Sequence, residues 1–151
     1  MRGFSELPEF PGCFVCGKDN PGGLRLHFYR EGSTVKAEFV PDVIFAGYGN
    51  IVHGGIVSAV LDEAIVWAAY VSEKRFGVTA ELNIRFLKPV PVKEMCIVSG
   101  RVTESKKRIC TCEAFLTDKS GTVFAKASGR ILLMKQKESD ELESRLYLKR
   151  Q

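Results

Sequence analysis

The alternation of hydrophobic and polar positions predicts a β-hairpin followed by one long helix. Residues 24–29 and residues 35–39 alternate with a period of two, and a glycine-containing turn signal at residues 31–33 separates them, which is typical of a hairpin. Residues 56–71 are nearly all apolar and rich in alanine. This run is too long for one strand, so we predict a buried helix that begins near Gly54.

Four strand-like segments follow the helix, which is predicted to end before the helix breaker Gly77. They are residues 78–87, 95–103, 109–117 and 123–134, and turn signals separate them. A helix that is apolar on every side cannot face water, so an antiparallel sheet of six strands curled around one central helix is the simplest arrangement. The predicted fold class is therefore α+β. One chain would leave part of this helix and sheet uncovered, which favours a dimer.

We expect a single domain over residues 1–151, because the chain contains no internal repeat and no low-complexity linker. A proline- and glycine-rich extension, residues 1–22, precedes the predicted hairpin. A charged tail, residues 135–151, follows the last predicted strand. Its pattern favours a short solvated helix or a frayed end.

Charge and composition limit the kinds of partner that such a domain is expected to bind. The net charge of +4 is mild and scattered, so it argues against nucleic acid while it could favour a small anionic ligand. The first twelve residues contain no apolar core of a secretory signal. The longest charge-free stretch of the apolar middle, residues 64–72, is far short of the roughly 20 residues that a membrane span needs. We therefore predict neither nucleic acid nor a membrane as a partner.

The chain has five cysteines, and an odd number without a predicted signal peptide favours a reduced, cytoplasmic protein. Cys13 and Cys16 have the spacing of zinc knuckles and redox pairs. Zinc needs two more ligands, yet no second CxxC or HxxxH follows, and His27 is the only histidine nearby. Structural cysteines are the favoured interpretation, with a metal site and a redox pair as alternatives. We predict no metal and no cofactor.

Two carboxylates interrupt the predicted apolar helix. Asp62 and Glu63 lie in its middle, where burial of an unpaired carboxylate costs several kcal/mol or forces it to take up a proton. Neighbouring residues on a helix point about 100° apart, so the two side chains cannot share one environment. An acid in an apolar cleft is where a general base or a nucleophile is expected. A structural ion pair is the alternative.

His53, Gly54 and Gly55 stand just before the helix. Glycines at a helix start leave backbone N–H groups accessible, and with the positive end of the helix dipole these amides suit a developing oxyanion. For the histidine, a structural role is the alternative. Gly54 and Asp62 are eight residues apart, or ~12 Å along the helix axis. If both are catalytic, the site must therefore combine Gly54 of one subunit with Asp62 of another.

These motifs resemble those of the hotdog-fold acyl-CoA thioesterases, in particular the branch related to the phenylacetic-acid-pathway thioesterase. The resemblance covers most of the chain and rests on three segments in order: residues 53–55, residues 61–64 (Leu-Asp-Glu-Ala) and residues 79–89. The opening segment, residues 13–24, resembles a subset of these proteins. The resemblance implies six strands wrapped on a central helix, dimers that often pair into tetramers, and hydrolysis of an acyl-coenzyme A thioester by water.

The resemblance also implies roles for individual residues. Asp62 matches the family's catalytic carboxylate, which acts as general base or nucleophile, and Glu63 lies beside it. Gly54 matches the backbone donor that polarises the thioester carbonyl, assisted by His53. Thr79 matches a Ser/Thr position that helps to orient the water.

The substrate-binding residues are less clearly marked. Where many relatives carry a polar side chain before the histidine, this chain has Phe45-Ala46-Gly47, and Asn50 is the candidate substitute, with a turn role as the alternative. The other candidates are Phe45 and Trp67 for the acyl pocket, Gly55 for close approach of the substrate and Lys88 for the coenzyme A phosphates. Core packing of the aromatic residues and a solvated lysine are the structural alternatives.

Two other functions remain open at this point. One is a non-catalytic hotdog module that binds acyl-CoA as a regulator, and the other is a hydratase or dehydratase of the same fold. The acids at residues 62 and 63 argue against the first, because binding alone does not require a buried acid. The Leu-Asp-Glu-Ala segment favours hydrolysis over the second. The expected partners are an acyl-CoA substrate and further copies of the chain, as a dimer or a tetramer.

Overall fold

A 20-residue helix, α1 (Gly54–Glu73), lies against an antiparallel sheet in the computed structural model, which describes residues 3–146. A short 3₁₀ helix, Val43–Phe45, precedes α1, and α2 (Gln136–Glu143) follows the last strand. The strands are β1 (Phe4–Glu6), β2 (Tyr29–Glu31), β3 (Thr34–Phe39), β4 (Gly77–Phe86), β5 (Cys96–Lys106), β6 (Ile109–Asp118) and β7 (Val123–Leu133).

All neighbouring strands pair antiparallel, in the order β1-β2-β3-β5-β6-β7-β4. α1 contacts β3 to β7, so most of the sheet packs on this one helix. Helix and sheet approach closely at Gly100 on β5, where a Cβ atom would lie only 2.5 Å from the backbone oxygen of Ala64. A residue with a side chain at this position would push the sheet away from the helix.

The sheet has seven strands rather than the predicted six. The additional strand, β1, comes from the proline- and glycine-rich extension and pairs with β2. The predicted strand over residues 24–29 is also wrong in its bounds, since β2 begins only at Tyr29. Leu24 and Leu26 instead donate their N–H groups to the carbonyls of Phe14 and Val15. Residues 24–26 are therefore paired with the cysteine-containing segment instead of with β3.

The other predicted elements lie close to their expected positions. α1 begins at Gly54 as predicted, and the four strands after it differ from prediction by no more than three residues at any end. Of the two forms expected for the charged tail, a short helix or a frayed end, the structure has the helix, α2, which is anchored by a hydrogen bond of 2.8 Å from the Phe76 N–H to Ser139 Oγ. Residues 147–151 of the tail lie outside the described residues.

α1 is buried on one side and partly exposed along a narrow stripe. Its buried residues include Leu61, Ile65 and Trp67. The stripe consists of Ser58, Ala59, Asp62 and Val66, which share one helix face because they are three or four positions apart. By length and composition α1 could cross a membrane, yet half of its apolar window is buried within the protein, as expected of a core helix. The sheet therefore leaves the Asp62 face of α1 open.

Candidate active site

The Asp62 carboxylate meets a hydroxyl from the sheet. Thr79, on the exposed edge strand β4, donates its Oγ1 proton to Asp62 Oδ1 at 2.7 Å. Asp62 itself is only partly buried on the open stripe of α1. The Thr79 hydroxyl therefore fixes the position of the Asp62 carboxylate, while the carboxylate stays accessible from outside the chain. A group that exchanges protons with a substrate or a water requires both.

An irregularity in β4 lies next to Thr79. The register of β4 against β7 shifts between Thr79 and Glu81, so that Ala80 is an extra residue in the edge strand. Such bulges bend a strand and redirect the neighbouring side chains. The bulge therefore accounts for a threonine hydroxyl that points at the helix from a strand whose other side chains are largely exposed.

Glu63 lies in a different environment from Asp62, as the 100° rotation per residue requires. Its Oε1 accepts a hydrogen bond of 3.0 Å from the Trp67 indole N–H and contacts Cys13 Sγ at 3.6 Å. Burial raises the pKa of Glu63 to about 7, and the nearby Cys13 sulfur adds to the rise. The structure therefore does not bring Glu63 together with Asp62 and Thr79.

The start of α1 is held by a folded-back loop. His53 N–H donates to the Phe45 carbonyl at 2.9 Å, and Ala46 pairs with Val52 across the loop. The His53 side chain caps the helix, since its Nδ1 accepts the Gly55 N–H at 2.8 Å. A Cβ atom on Gly55 would lie 2.9 Å from that nitrogen, so only glycine fits under the imidazole without displacing it.

The Gly54 N–H differs from that of Gly55. Among the hydrogen bonds of residues 3–146, none uses the Gly54 N–H, and Gly54 is exposed. It belongs to the first turn of α1, where backbone amides lack helical partners and the helix dipole favours negative charge. Gly54 is therefore the amide at this helix end that is available to an incoming oxygen atom.

A cleft of about 630 Å³ opens beside this helix end. Aromatic and aliphatic side chains form much of its wall, and His53, Gly54 and Lys88 also face it; the remaining lining residues are Gly47, Tyr48, Ile51, Val52, Val57, Phe86, Leu87, Pro89 and Val90. Lys88 is exposed and forms no ion pair within residues 3–146. The volume is in the range of small-molecule sites, and the mostly apolar wall with a few polar groups is typical of them.

Asp62 and Thr79 do not line this cleft. Gly54 and Asp62 are about two helical turns apart, which is ~12 Å along the helix axis. The chain thus presents two separate parts of the candidate site, here called half-sites, which are the cleft with the Gly54 amide and the Asp62–Thr79 pair. Neither half-site alone contains both an acid and an accessible amide at the helix start.

The remaining candidate residues lie in several places. Trp67 is 1% exposed and packs against Phe10, Tyr70 and Phe76, so it is a core residue and does not line the cleft. Phe45 borders a separate, smaller hollow of about 320 Å³ whose lining also includes His53 and Gly55. Asn50 is exposed and lies in a turn before α1, where its carbonyl accepts the N–H of the distant residue Val92 at 3.0 Å.

A known protein family matches the segment of the chain that carries this candidate site. A family model described as "Thioesterase superfamily" matches residues 49–125, about half of the 151 residues. The match begins in the loop before α1 and includes Gly54, Asp62 and Thr79. The chain belongs to the thioesterase superfamily. Its sheet and central helix are accordingly the hotdog fold, with one short strand more than the six predicted.

Two relatives are similar to large parts of the chain. Acyl-coenzyme A thioesterase THEM5 of Mus musculus is 31% identical over 105 residues, which are 68% of this chain and 42% of the relative. An uncharacterized mitochondrial protein of Candida albicans is 32% identical over 124 residues, which are 79% of this chain and 51% of the relative. The chain thus spans about half the length of these relatives.

Solved structures of the superfamily have the same fold. A hypothetical thioesterase protein from Streptococcus pneumoniae, solved with coenzyme A, superposes with a TM-score of 0.64 at 19% identity, and the match covers 68% of this chain and 82% of that one. At this level of identity the likeness establishes the fold.

Sequence patterns did not indicate two features of the site. The contact between Glu63 and Cys13 joins residues that are fifty positions apart, and no local spacing connects them. The extra residue Ala80 in β4 has no glycine or proline to mark it. The CxxC spacing was a partial signal for the first of these features, because it singled out Cys13.

Proposed function

We propose that this thioesterase-superfamily chain hydrolyses the thioester of an acyl-coenzyme A. The observation that carries the proposal is the hydrogen bond of 2.7 Å between Thr79 and Asp62 on the open face of the core helix. Membership of the superfamily supports the reaction class, and the relative named an acyl-coenzyme A thioesterase supports the substrate class. The Streptococcus pneumoniae structure with coenzyme A supports binding of that carrier by this fold.

The proposed chemistry assigns a separate task to each half-site. Asp62 takes a proton from a water that Thr79 helps to orient, and the water oxygen attacks the thioester carbonyl carbon. The carbonyl oxygen becomes an oxyanion and accepts the Gly54 N–H, with His53 holding the helix start in place. When the intermediate collapses, the carbon–sulfur bond breaks, and the thiolate of coenzyme A leaves and takes up the proton. Direct attack by Asp62 on the carbonyl is the alternative first step.

Assembly of the site requires a second subunit. The edge strand β4 carries exposed apolar side chains, with Val78 at 51% and Phe86 at 57% exposure, and its outer edge has no partner strand within residues 3–146. Long apolar edge strands are normally paired or protected. We propose that this edge and the open stripe of α1 form the dimer contact, which brings Gly54 of one subunit to Asp62 of the other.

The cleft supports a place for the substrate. Its apolar wall suits an acyl group or the pantetheine arm, and Lys88 at its rim is positioned for a phosphate of coenzyme A. Arg101 and Arg130 are engaged elsewhere, because Arg101 pairs with Glu113 and Arg130 with Glu81. The acyl pocket is assigned to this cleft and to the hollow at Phe45, while Trp67 supports the core.

Two finer assignments from the sequence stay predictions. One is the branch of the phenylacetic-acid-pathway thioesterase. The other is a cytoplasmic location, predicted from the reduced cysteines, whereas the Candida albicans relative is described as mitochondrial.

Thiol release is the direct test of the proposed reaction. The purified protein is expected to release free coenzyme A from at least one short, medium-chain or aromatic acyl-CoA without added metal or nucleotide, measured with a thiol reagent. Binding of acyl-CoA without thiol release above background across a broad panel would instead favour the regulatory module.

Oligomer size tests the shared site. We expect a dimer or a tetramer by light scattering, and turnover per subunit should disappear on dilution to the concentration at which the oligomer dissociates, because each site would lose its partner's half. A monomer that retains full turnover would contradict the intersubunit site.

A further inference from the structure

Three potential metal ligands converge where the N-terminal segment crosses α1. Cys13 Sγ, Cys16 Sγ and a carboxylate oxygen of Glu63 all lie within 4.8 Å of one another. Cys16 is 2% exposed and Cys13 is partly exposed, so the cluster is mostly buried but can be reached from one side. Neither cysteine belongs to the proposed hydrolytic site.

The spacing of these atoms suits a tetrahedral ion. Cys13 Sγ and Glu63 Oε1 are 3.6 Å apart. Zinc bonds of about 2.3 Å to sulfur and about 2.0–2.2 Å to oxygen, at a tetrahedral angle, place the two ligand atoms roughly 3.5–3.7 Å apart. This pair of ligand atoms is thus already at the separation that a bound zinc ion would impose, and Cys16 Sγ lies within 4.8 Å of both.

Backbone N–H groups around Cys13 are placed to stabilise its thiolate form. The N–H groups of Val15 and Cys16 both point at Cys13 Sγ, at 3.4 and 3.5 Å. Gly17 closes the turn by donating its N–H to the Cys13 carbonyl at 3.0 Å. A Cβ atom on Gly17 would lie 2.4 Å from the Pro11 carbonyl oxygen and 2.5 Å from Cys13. Amide donors favour a sulfur that carries negative charge, which is the form that binds metal.

We propose that Cys13, Cys16 and Glu63 form a zinc site that ties the N-terminal segment to the middle of α1. The two thiols lose their protons on binding, and the ion's two positive charges offset two of the three negative charges of the thiolates and the buried carboxylate. Two thiolates with one carboxylate suit a borderline ion such as Zn²⁺, whereas Cu⁺ prefers sulfur ligands alone. Three protein ligands leave the fourth position to water, on the partly exposed side of Cys13.

Neighbouring groups support the ligand geometry. The Trp67 indole N–H holds the Glu63 carboxylate at 3.0 Å, as outer-shell donors orient metal-bound carboxylates. Trp67 is buried among Phe10, Tyr70 and Phe76, so this donor cannot turn away. The sequence interpretation missed the site because it sought the remaining ligands in a second CxxC or a histidine motif, while the third ligand comes from the helix.

Metal content of the reduced protein is the first measurement. Protein purified with a non-chelating reductant and incubated with zinc sulfate should retain about one zinc per chain after gel filtration, measured by elemental analysis. Titration of the metal-free protein with Co²⁺ should produce thiolate-to-cobalt charge-transfer absorption. Loss of an outer-shell partner of a metal site costs at least roughly tenfold in affinity, so loss of a direct ligand should weaken zinc binding by at least as much. This is the result expected for each of the single variants Cys13→Ser, Cys16→Ser and Glu63→Gln.

Cys110 and Cys112 provide a matched control. Their sulfur atoms are 3.9 Å apart in β6, and within residues 3–146 no carboxylate or histidine completes a cluster with them. The Cys110→Ala/Cys112→Ala double variant should retain zinc. A second control needs no substitution, since bound zinc should protect Cys13 and Cys16 from alkylation in the wild-type protein, as mapped by mass spectrometry of its peptides.

Three results would overturn the zinc site. The first is the absence of both retained zinc and alkylation protection in the reduced wild-type protein. The second is unchanged zinc affinity in Glu63→Gln, which would reduce the observation to adventitious binding by thiols. The third is a Cys13–Cys16 disulfide that persists under the same reductant, which would assign the pair to redox chemistry.

Discussion

Replacement of Asp62 by asparagine is expected to lower the rate of thioester hydrolysis by at least roughly 100-fold, the low end for loss of a general base. The amide nearly preserves the size of the side chain, and its oxygen can still accept the Thr79 hydroxyl that Asp62 Oδ1 accepts at 2.7 Å. It cannot take a proton from water or attack a carbonyl. The measurement is kcat with the best acyl-CoA substrate, together with substrate affinity and oligomer size, both of which should be retained.

Glu63→Gln is the control for Asp62→Asn, because it makes the same chemical change one residue further along the helix. Glu63 faces Trp67 and Cys13, so its replacement should cost less than tenfold in kcat, since it removes no group from the proposed reaction. A larger loss in Glu63→Gln than in Asp62→Asn would mean that Glu63 is the catalytic acid. If neither variant loses activity, both acids are structural and hydrolysis loses its main physical support.

The sequence predicted α1 well because its signal is strong and local. A run of apolar residues longer than any strand, preceded by paired glycines, determines both the type and the start of the helix. The strands after it were predicted within three residues because turn signals separate them. The strand over residues 24–29 failed for a non-local reason, since Leu24 and Leu26 pair with residues 14 and 15.

The sequence indicated which residue types form the candidate site, but it did not indicate which way their side chains face. A helix that is apolar on nearly every side does not reveal which side the sheet covers, so the sequence could not place Trp67 in the core or Asp62 on the open stripe. The rotation between neighbouring residues did predict that Asp62 and Glu63 are in different environments. Which partners each would meet depended on Thr79 and Cys13, which come from other parts of the chain.

Gly54→Pro is expected to reduce kcat by roughly 100- to 1000-fold, the usual cost of removing one oxyanion donor. Gly54 is the first residue of α1 after the capping residue His53, a position where proline fits a helix well. His53 has φ −58° and ψ 135°, an extended conformation that a residue before proline adopts readily. The substitution therefore deletes the N–H while the helix should remain intact, which circular dichroism can verify.

Gly54→Ala is the matched control, because it keeps the N–H and adds only a methyl group. That Cβ atom would lie 3.6 Å from the Phe86 ring, an ordinary van der Waals contact, so activity should stay within a few-fold of the wild type. If alanine and proline reduce kcat equally, the cause is crowding of the cleft, and the oxyanion role of the amide is contradicted.

Mixing two inactive variants then tests whether the half-sites belong to different subunits. In a heterodimer of Gly54→Pro and Asp62→Asn subunits, a shared site pairs the intact Gly54 of one subunit with the intact Asp62 of the other, while the second site carries both defects. Each heterodimer thus has one good site of its two, so the purified heterodimer should recover about half of the wild-type activity per dimer. The mixture is prepared by co-expression with two different affinity tags, and the doubly tagged species is purified and assayed. If each subunit instead carried its own complete site, every site in the heterodimer would have one defect, and activity would stay at the level of the single variants.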